Sequence, residues 1–181
     1  MLRNDQASPT EITRTLRRVR QTRDYRPDAV PEDALIDILN VARWTGSVTN
    51  TQPWTFIVVT DPATKQQMAE AAPYTAHIGI APVVICIARE LKGSEIDNFD
   101  EGRVAERIMI AAQAHGLSSG LARARDEAQP VIGRLLGVPE GVVLRTMVSI
   151  GYPTEEGAKP KSALGSARRS LESFIRRERF G

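Results

Sequence analysis

The 181 residues are 41% hydrophobic and 25% charged, a balance that excludes a mainly disordered chain and allows a real core. A net charge of +2 is too small to imply nucleic acid by itself, and the single cysteine, Cys86, excludes an intramolecular disulfide. The N-terminus lacks the apolar stretch of a signal peptide, and no run of roughly eighteen apolar residues exists, so a cytoplasmic protein with no membrane partner is expected.

In chain order, residues 1–7 read as a tail. Ser8, Pro9 and Glu11 have the order of an N-cap, a first-turn proline and a capping-box acid, predicting a helix to about Arg20. Residues 25–30 read as a loop. Pro31 then opens a second helix to about Ala42, with Leu35, Ile38, Leu39 and Ala42 at helical spacing. Residues 43–53 form a loop rich in Thr, Ser, Gly and Asn. Residues 54–60 read as a strand, and its apolar stretch 56–59 is too continuous for a half-exposed one. Asp61-Pro62 ends it, and a short helix follows to about Ala71. Residues 82–88 are a second buried strand, with Cys86 read as a small hydrophobe rather than a catalytic thiol.

A polar stretch over 89–99 precedes a long helix that starts near Asp100 and stops at Gly116. Residues 116–120 read as a glycine- and serine-rich loop. A helix over about 127–136, a strong strand over 142–150 and the closing Gly151-Tyr152-Pro153 follow. Residues 154–167 are rich in Gly, Ala, Ser and Lys and are expected to pack weakly. A last amphipathic piece spans about 171–177. The order is mixed α and β, with a sheet of at least three strands.

No metal or nucleophile constellation is visible. His77 and His115 are the only histidines, and HExxH, GxSxG, a P-loop and a Rossmann fingerprint are all absent. Two features remain. The loop Gly46-Ser47-Val48-Thr49-Asn50-Thr51-Gln52-Pro53-Trp54 carries amides that both donate and accept, suited to a heteroaromatic ring edge. It reads equally as a polar connector ahead of a Pro-Trp anchor. Arginines 14, 17, 18, 20, 23 and 26 crowd one end of the chain, and Arg168, Arg169, Arg176, Arg177 and Arg179 the other. Arg17 and Arg20 share a helical face and could hold a phosphate, or could be a solvated basic surface.

Taken in order, these segments resemble the nitroreductase family of flavoenzymes. Arg17-Arg18-Val19-Arg20 is similar to its R-S-x-R opening, with Arg18 in place of serine. Residues 47–54 match its A-P-S-x-x-N-x-Q-P-W signature from Ser47 onward, with Thr45 and Gly46 replacing Ala-Pro. Asp100-Glu101-Gly102, an apolar helix and Gly116-Leu117-Ser118-Ser119-Gly120 resemble its D-x-G and G-L-G stretches. Glu106 and Arg107 stand where relatives often have Gln-Asn. Gly151-Tyr152-Pro153, Arg168-Arg169-Ser170-Leu171 and Glu178-Arg179-Phe180-Gly181 complete the set.

The resemblance implies an α+β, three-layer α/β/α nitroreductase-like fold, its central mixed and mainly antiparallel sheet flanked by helices. It also implies an intertwined homodimer with FMN at the interface. Residues 1–181 would be one domain, with 154–181 packing on the partner protomer. Arg17, Arg18 and Arg20 would contact FMN, as would Ser47, Asn50 and Gln52 near the ring and Ser118 and Ser119 from the turn after the long helix. Arg168 and Arg169 would close on the phosphate. NAD(P)H would be the reductant, and a nitroaromatic or quinone-like small molecule the acceptor, with no catalytic side chain demanded. The region 89–99 is short for a lid, which implies a more open site. A flavin- or deazaflavin-binding homodimer without nitroreductase turnover is the alternative, and a basic nucleic-acid module is a third reading that lacks a stacking platform.

Overall fold

The computed structural model describes residues 9–90, 95–159 and 169–180. Helix α1 spans Pro9–Arg18, two residues short of the expected end, and Ser8 lies outside the described residues. Helix α2 spans Glu32–Arg43 behind Pro31. Strand β1 runs Trp54–Val59. Helix α3, Pro62–Ala71, begins where Asp61 accepts the backbone N–H of Thr64. After a 3-10 turn at Pro73–Thr75 come α4 (His77–Ile80) and β2 (Val83–Glu90). Helix α5 is Glu95–Ala114, β3 is Ser118–Arg123, α6 is Gln129–Leu135 and β4 is Val142–Gly151. A short α7, Glu155–Ala158, and a 3-10 turn at Leu171–Phe174 follow.

Among the described residues, the strands form one sheet in the order β1-β2-β4-β3, with all three pairings antiparallel. The single parallel contact is an isolated bridge between Gln21 and Ser119. The architecture is α+β, with helices on both sheet faces. Strand alternation explains the layers. Val83, Ile85 and Ile87 of β2, with Val148 and Ile150 of β4, face α2 and α5, meeting Leu35, Ile38, Val104 and Ile108. Val84 and Cys86 point the other way, to Met68, Ile78 and Ile132 of α3, α4 and α6. Two covered faces are why β2 reads as an unbroken apolar run. Cys86 is fully buried, as expected, and burial pushes its thiol up to about 12.

Three expectations change. Residues 118–120 are strand, not loop, because the chain turns at Gly116, where φ is 71°, and pairs at once with Ile150 and Gly151. Gly120 permits this, since a Cβ there would overlap the Thr22 carbonyl oxygen and lie 2.9 Å from Ser149 Oγ. Helix α5 starts five residues before Asp100. Its opening turns look polar because they face Arg89 and the 44–48 backbone rather than the apolar core. The 154–167 stretch begins firmly, with Thr154 Oγ1 accepting from Gly157 N–H and donating to Asp24. Residues 160–167 lie outside the described residues. The last amphipathic piece contains the 3-10 turn at Leu171–Phe174, and residues 169–180 are all exposed.

Candidate functional site

The residues singled out by sequence separate into two groups, one at each end of α5. At the C-terminal end, Thr22 N–H donates to the Ser119 carbonyl at 2.8 Å, and Gln21 bridges Ser119, so the segment after α1 lies along the start of β3. This brings Arg20 beside Ser118 and Ser119. Ser119 is buried and Ser118 half-buried, while Arg17, Arg18 and Arg20 are exposed. Arg20 Nη1 donates to the carbonyls of Arg17 and Val19, which closes the end of α1.

A buried hydrogen-bond cluster fixes this edge. Tyr25 OH donates to the Thr22 carbonyl at 2.6 Å and accepts from Ser149 Oγ at 2.7 Å, which shares its proton with the Gly120 carbonyl at 3.0 Å. Burial pushes the Tyr25 phenol up to about 12. His77 is buried nearby, its Nε2 without a hydrogen-bond partner. Burial, then the Arg23 charge, hold its pKa below the usual imidazole range.

The cations at this end are held differently. Arg26 pairs with Asp28 at 3.2 Å and lies over the Tyr152 ring. Among the described residues, none of Arg17, Arg18 or Arg20 has a carboxylate partner. Exposed guanidinium groups without a carboxylate partner can take an anion by charge-assisted hydrogen bonds. Arg169 lies on the C-terminal segment, over the Phe174 ring at 4.2 Å. Arg168 lies outside the described residues.

The second group sits by the first turns of α5. Ser47, Asn50 and Gln52 belong to a loop built round a 3-10 turn at Val48–Asn50. Its backbone is strained: Thr49, Asn50 and Gln52 have φ of 50°, 58° and 48°. Asparagine tolerates this region, but a β-branched residue there costs roughly 1–3 kcal/mol. Ser47 Oγ accepts the Gln52 N–H at 2.8 Å and closes the loop. A cavity opens against it, lined by Arg43, Trp44, Thr45, Gly46, Asn50 and Gln52. Thr45 is buried beside it, its hydroxyl without a hydrogen-bond partner.

Sequence reasoning did not assign what holds this loop. Asp100 is buried and accepts the Val48 N–H at 3.0 Å. Arg103 Nη1 donates to Asp100 at 2.9 Å and to the Gly46 carbonyl at 2.8 Å. Arg107 Nη1 donates to the Trp44 carbonyl at 3.1 Å. The available signal was the spacing of Asp100, Arg103 and Arg107, which share one helix face.

The two groups are far apart. From Asp100 to Ala114 an α-helix rises about 21 Å, so one protomer does not bring Asn50 and Gln52 to Arg20 and Ser119.

The nitroreductase family profile matches residues 16–73 and 72–152. An NADH dehydrogenase of Thermus thermophilus is 33% identical over 174 residues, covering 76% of this chain and 84% of that protein. An FMN-dependent nitroreductase of Clostridium difficile superposes with a TM-score of 0.81 at 23% identity, covering 92% of this chain and 98% of that one. The NADPH:FMN oxidoreductase of Vibrio harveyi, solved with NAD+, gives a TM-score of 0.80 at 16% identity over 94% of this chain and 78% of that one. Taken with the sheet order and the matched segments, these likenesses show that the chain belongs to the nitroreductase family of flavin-dependent oxidoreductases.

Proposed function

We propose that the chain binds FMN at the interface of a homodimer and oxidises NAD(P)H, by ping-pong turnover, at the expense of a small oxidised acceptor such as a nitroaromatic or a quinone. The observation that carries this is the division of the flavin-contact candidates between the two ends of α5. In a dimer, the arginine end of one protomer can meet the Asn50 loop of the other. The residues fit such a ligand. Three unpaired guanidinium groups suit a phosphate, and Asn50 and Gln52 suit a ring that both donates and accepts. The partnerless Thr45 hydroxyl and the strained loop also point to a site built for a bound group.

When bound, FMN would supply the hydride relay at its N5 between NAD(P)H and the acceptor. The chain's own work is placement. Arg17, Arg18 and Arg20, with Arg168 and Arg169, would hold the phosphate. Asn50 and Gln52 would fix the ring edge, Ser47 would line the ring, and Ser118 would bound it from β3, with Ser119 buried behind it. No side chain need exchange a proton with the substrate in this scheme.

The dimer has further support. Leu171, Phe174 and Phe180 of the C-terminal segment are 68%, 61% and 90% exposed. Beside β1, at the sheet edge, Ile36, Leu39, Trp54, Phe56 and Val58 line a groove whose polar end, at Asn40, Arg43 and Gln52, adjoins the cavity by the Asn50 loop. An open sheet edge with apolar flanks invites pairing, and the C-terminal segment of a partner is the occupant we propose.

The test is the absorbance of the purified protein titrated with FMN, then with NADH or NADPH without oxygen. Flavin bands that bleach, in a species of dimer mass by sedimentation, are expected. A protein that takes up no FMN would sink the proposal. Flavin that binds but resists both nucleotides would favour the non-reductase alternative.

A further inference from the structure

Asp100, Arg103 and Arg107 stand at i, i+3 and i+7 on one face of α5, and each makes a hydrogen bond to the backbone of residues 44–48. We infer that these three are positioning residues: a latch on α5 that holds the 44–52 loop in the conformation presenting Asn50 and Gln52. The inference rests on the reading of that loop as a flavin contact and names what sets its geometry.

The pattern is regular. The carbonyls of Trp44 and Gly46 accept from Arg107 and Arg103, and the N–H of Val48 donates to Asp100. Alternate residues therefore face the helix between the end of α2 at Trp44 and the 3-10 turn that starts at Val48, and Ser47 before that turn is extended, with φ of −130° and ψ of 163°. A surface ion pair would be worth little, but this one is not free in solvent. The Asp100 side chain is 2% exposed, with both oxygens occupied, and the Arg103 side chain is 42% exposed. One nitrogen of Arg103 bridges the Asp100 carboxylate and the Gly46 carbonyl.

Gly46 belongs to the device. A Cβ there would lie 3.3 Å from Arg103 Nη2, so a side chain would crowd the guanidinium. The family motif has proline at this place, whose ring stiffens the chain. Here a glycine and an arginine replace that stiffness with hydrogen bonds from the helix. From the latched segment, Ser47 Oγ passes the constraint to the N–H of Gln52. Asn50 and Gln52 thus hold their left-handed backbone next to a fixed stem.

The test compares wild type with Arg103→Met, Arg103→Lys and Asp100→Asn. Three readouts are taken: amide hydrogen exchange at Val48 and Gln52 in the apoprotein, FMN affinity by fluorescence titration, and thermal midpoint. Arg103→Met keeps the aliphatic stem and should raise both the exchange rates and the FMN dissociation constant by roughly tenfold or more, and it should lower the midpoint as well, because it leaves the buried Asp100 carboxylate without its counter-charge. Arg103→Lys should recover most of both, because an ammonium can bridge the same two oxygens. Asp100→Asn should act in the same direction as Arg103→Met.

Unchanged exchange in Arg103→Met would overturn the latch. Faster exchange with unchanged FMN affinity would overturn its role in positioning. An affinity loss seen only in Asp100→Asn, in step with a lowered midpoint, would reduce Asp100 to a structural residue and also overturn the inference. If wild type binds no FMN, the flavin reading fails and the assigned role falls with it, while the exchange rates still show whether the loop is latched.

Discussion

The two ends of α5 hold their candidate ligand groups by opposite means. At the C-terminal end, residues 21–25 are knitted to the sheet by backbone pairing and by the Tyr25–Ser149–Gly120 cluster. At the N-terminal end, the loop has no strand partner and is held by side chains reaching from the helix. The first arrangement gives a relaxed backbone that carries long, exposed arginines. The second gives a strained backbone that carries short amides. A phosphate tolerates flexible cations, since charge attraction acts over distance. A ring edge needs donors and acceptors at fixed places.

The sharpest way to break the contrast is Gly120→Ala. The new Cβ would collide with the Thr22 carbonyl oxygen and crowd Ser149 Oγ at 2.9 Å and Tyr25 OH at 3.0 Å. None of these can withdraw without opening the edge, so a loss of about 3 kcal/mol or more is expected. Urea denaturation reads it directly. A loss below about 1 kcal/mol would mean that the 21–25 segment is not locked to β3.

Tyr25→Phe attacks the same cluster more gently. It leaves the Thr22 carbonyl and Ser149 Oγ short of a partner, at a cost of about 1–2 kcal/mol near neutral pH. It also changes the alkaline limb. Burial raises the Tyr25 phenol from 10.0 to about 12, so the unfolded chain gives up this proton first. Stability from that group is complete below pH 10 and is lost as pH rises through 12, at up to about 1.4 kcal/mol per pH unit. Cys86, raised from 9.0 to about 12, acts in the same direction from pH 9. Removing the phenol should therefore flatten the wild-type decline between pH 10 and 12 but leave the portion due to Cys86. An unaltered slope in pH-dependent denaturation would show that Tyr25 is not buried as described.

These two positions also show where the sequence is silent. Strands β1, β2 and β4 were legible because they are apolar runs sandwiched between layers. Strand β3 was not, because Ser118-Ser119-Gly120 has the composition of a turn. What makes it a strand is tertiary: the close approach of Thr22 and the pairing with Ile150 and Gly151. Helix α5 was legible from about Asp100 onward, just ahead of its apolar spacing at Val104 and Ile108. Its earlier turns face polar partners and carry no such period. The amides of Asn50 and Gln52 could be read as ring-edge groups from their chemistry. The carboxylate that fixes their loop could not, since it stands 52 residues away in the chain. Nor does any residue spacing reveal that the two groups of site residues lie at opposite ends of one helix.

Thr49→Gly sharpens the comparison from the strained side and carries the opposite sign. A glycine adopts the φ of 50° found at Thr49 without steric cost. The fold should gain up to about 1 kcal/mol, while FMN affinity falls because the loop then samples more conformations. A substitution that stabilises the protein and weakens the ligand would mark the strain as functional. If the variant gains stability and binds FMN as tightly as wild type, the left-handed backbone is incidental to binding.

The smallest effect on stability is expected from Arg20→Ala combined with Arg169→Ala. Both residues are exposed, and neither has a carboxylate partner among the described residues. The fold should hold to within about 0.5 kcal/mol for each substitution. Removing two cations from one phosphate site should nevertheless raise the FMN dissociation constant by roughly tenfold or more, and raised salt should narrow the gap between wild type and variant. Thr49→Gly should show no such salt dependence, because it alters backbone freedom rather than charge. Isothermal titration at two ionic strengths separates the cases. Equal FMN affinity in wild type and the double variant would remove both arginines from the phosphate site and leave the relaxed end of α5 without its assigned role.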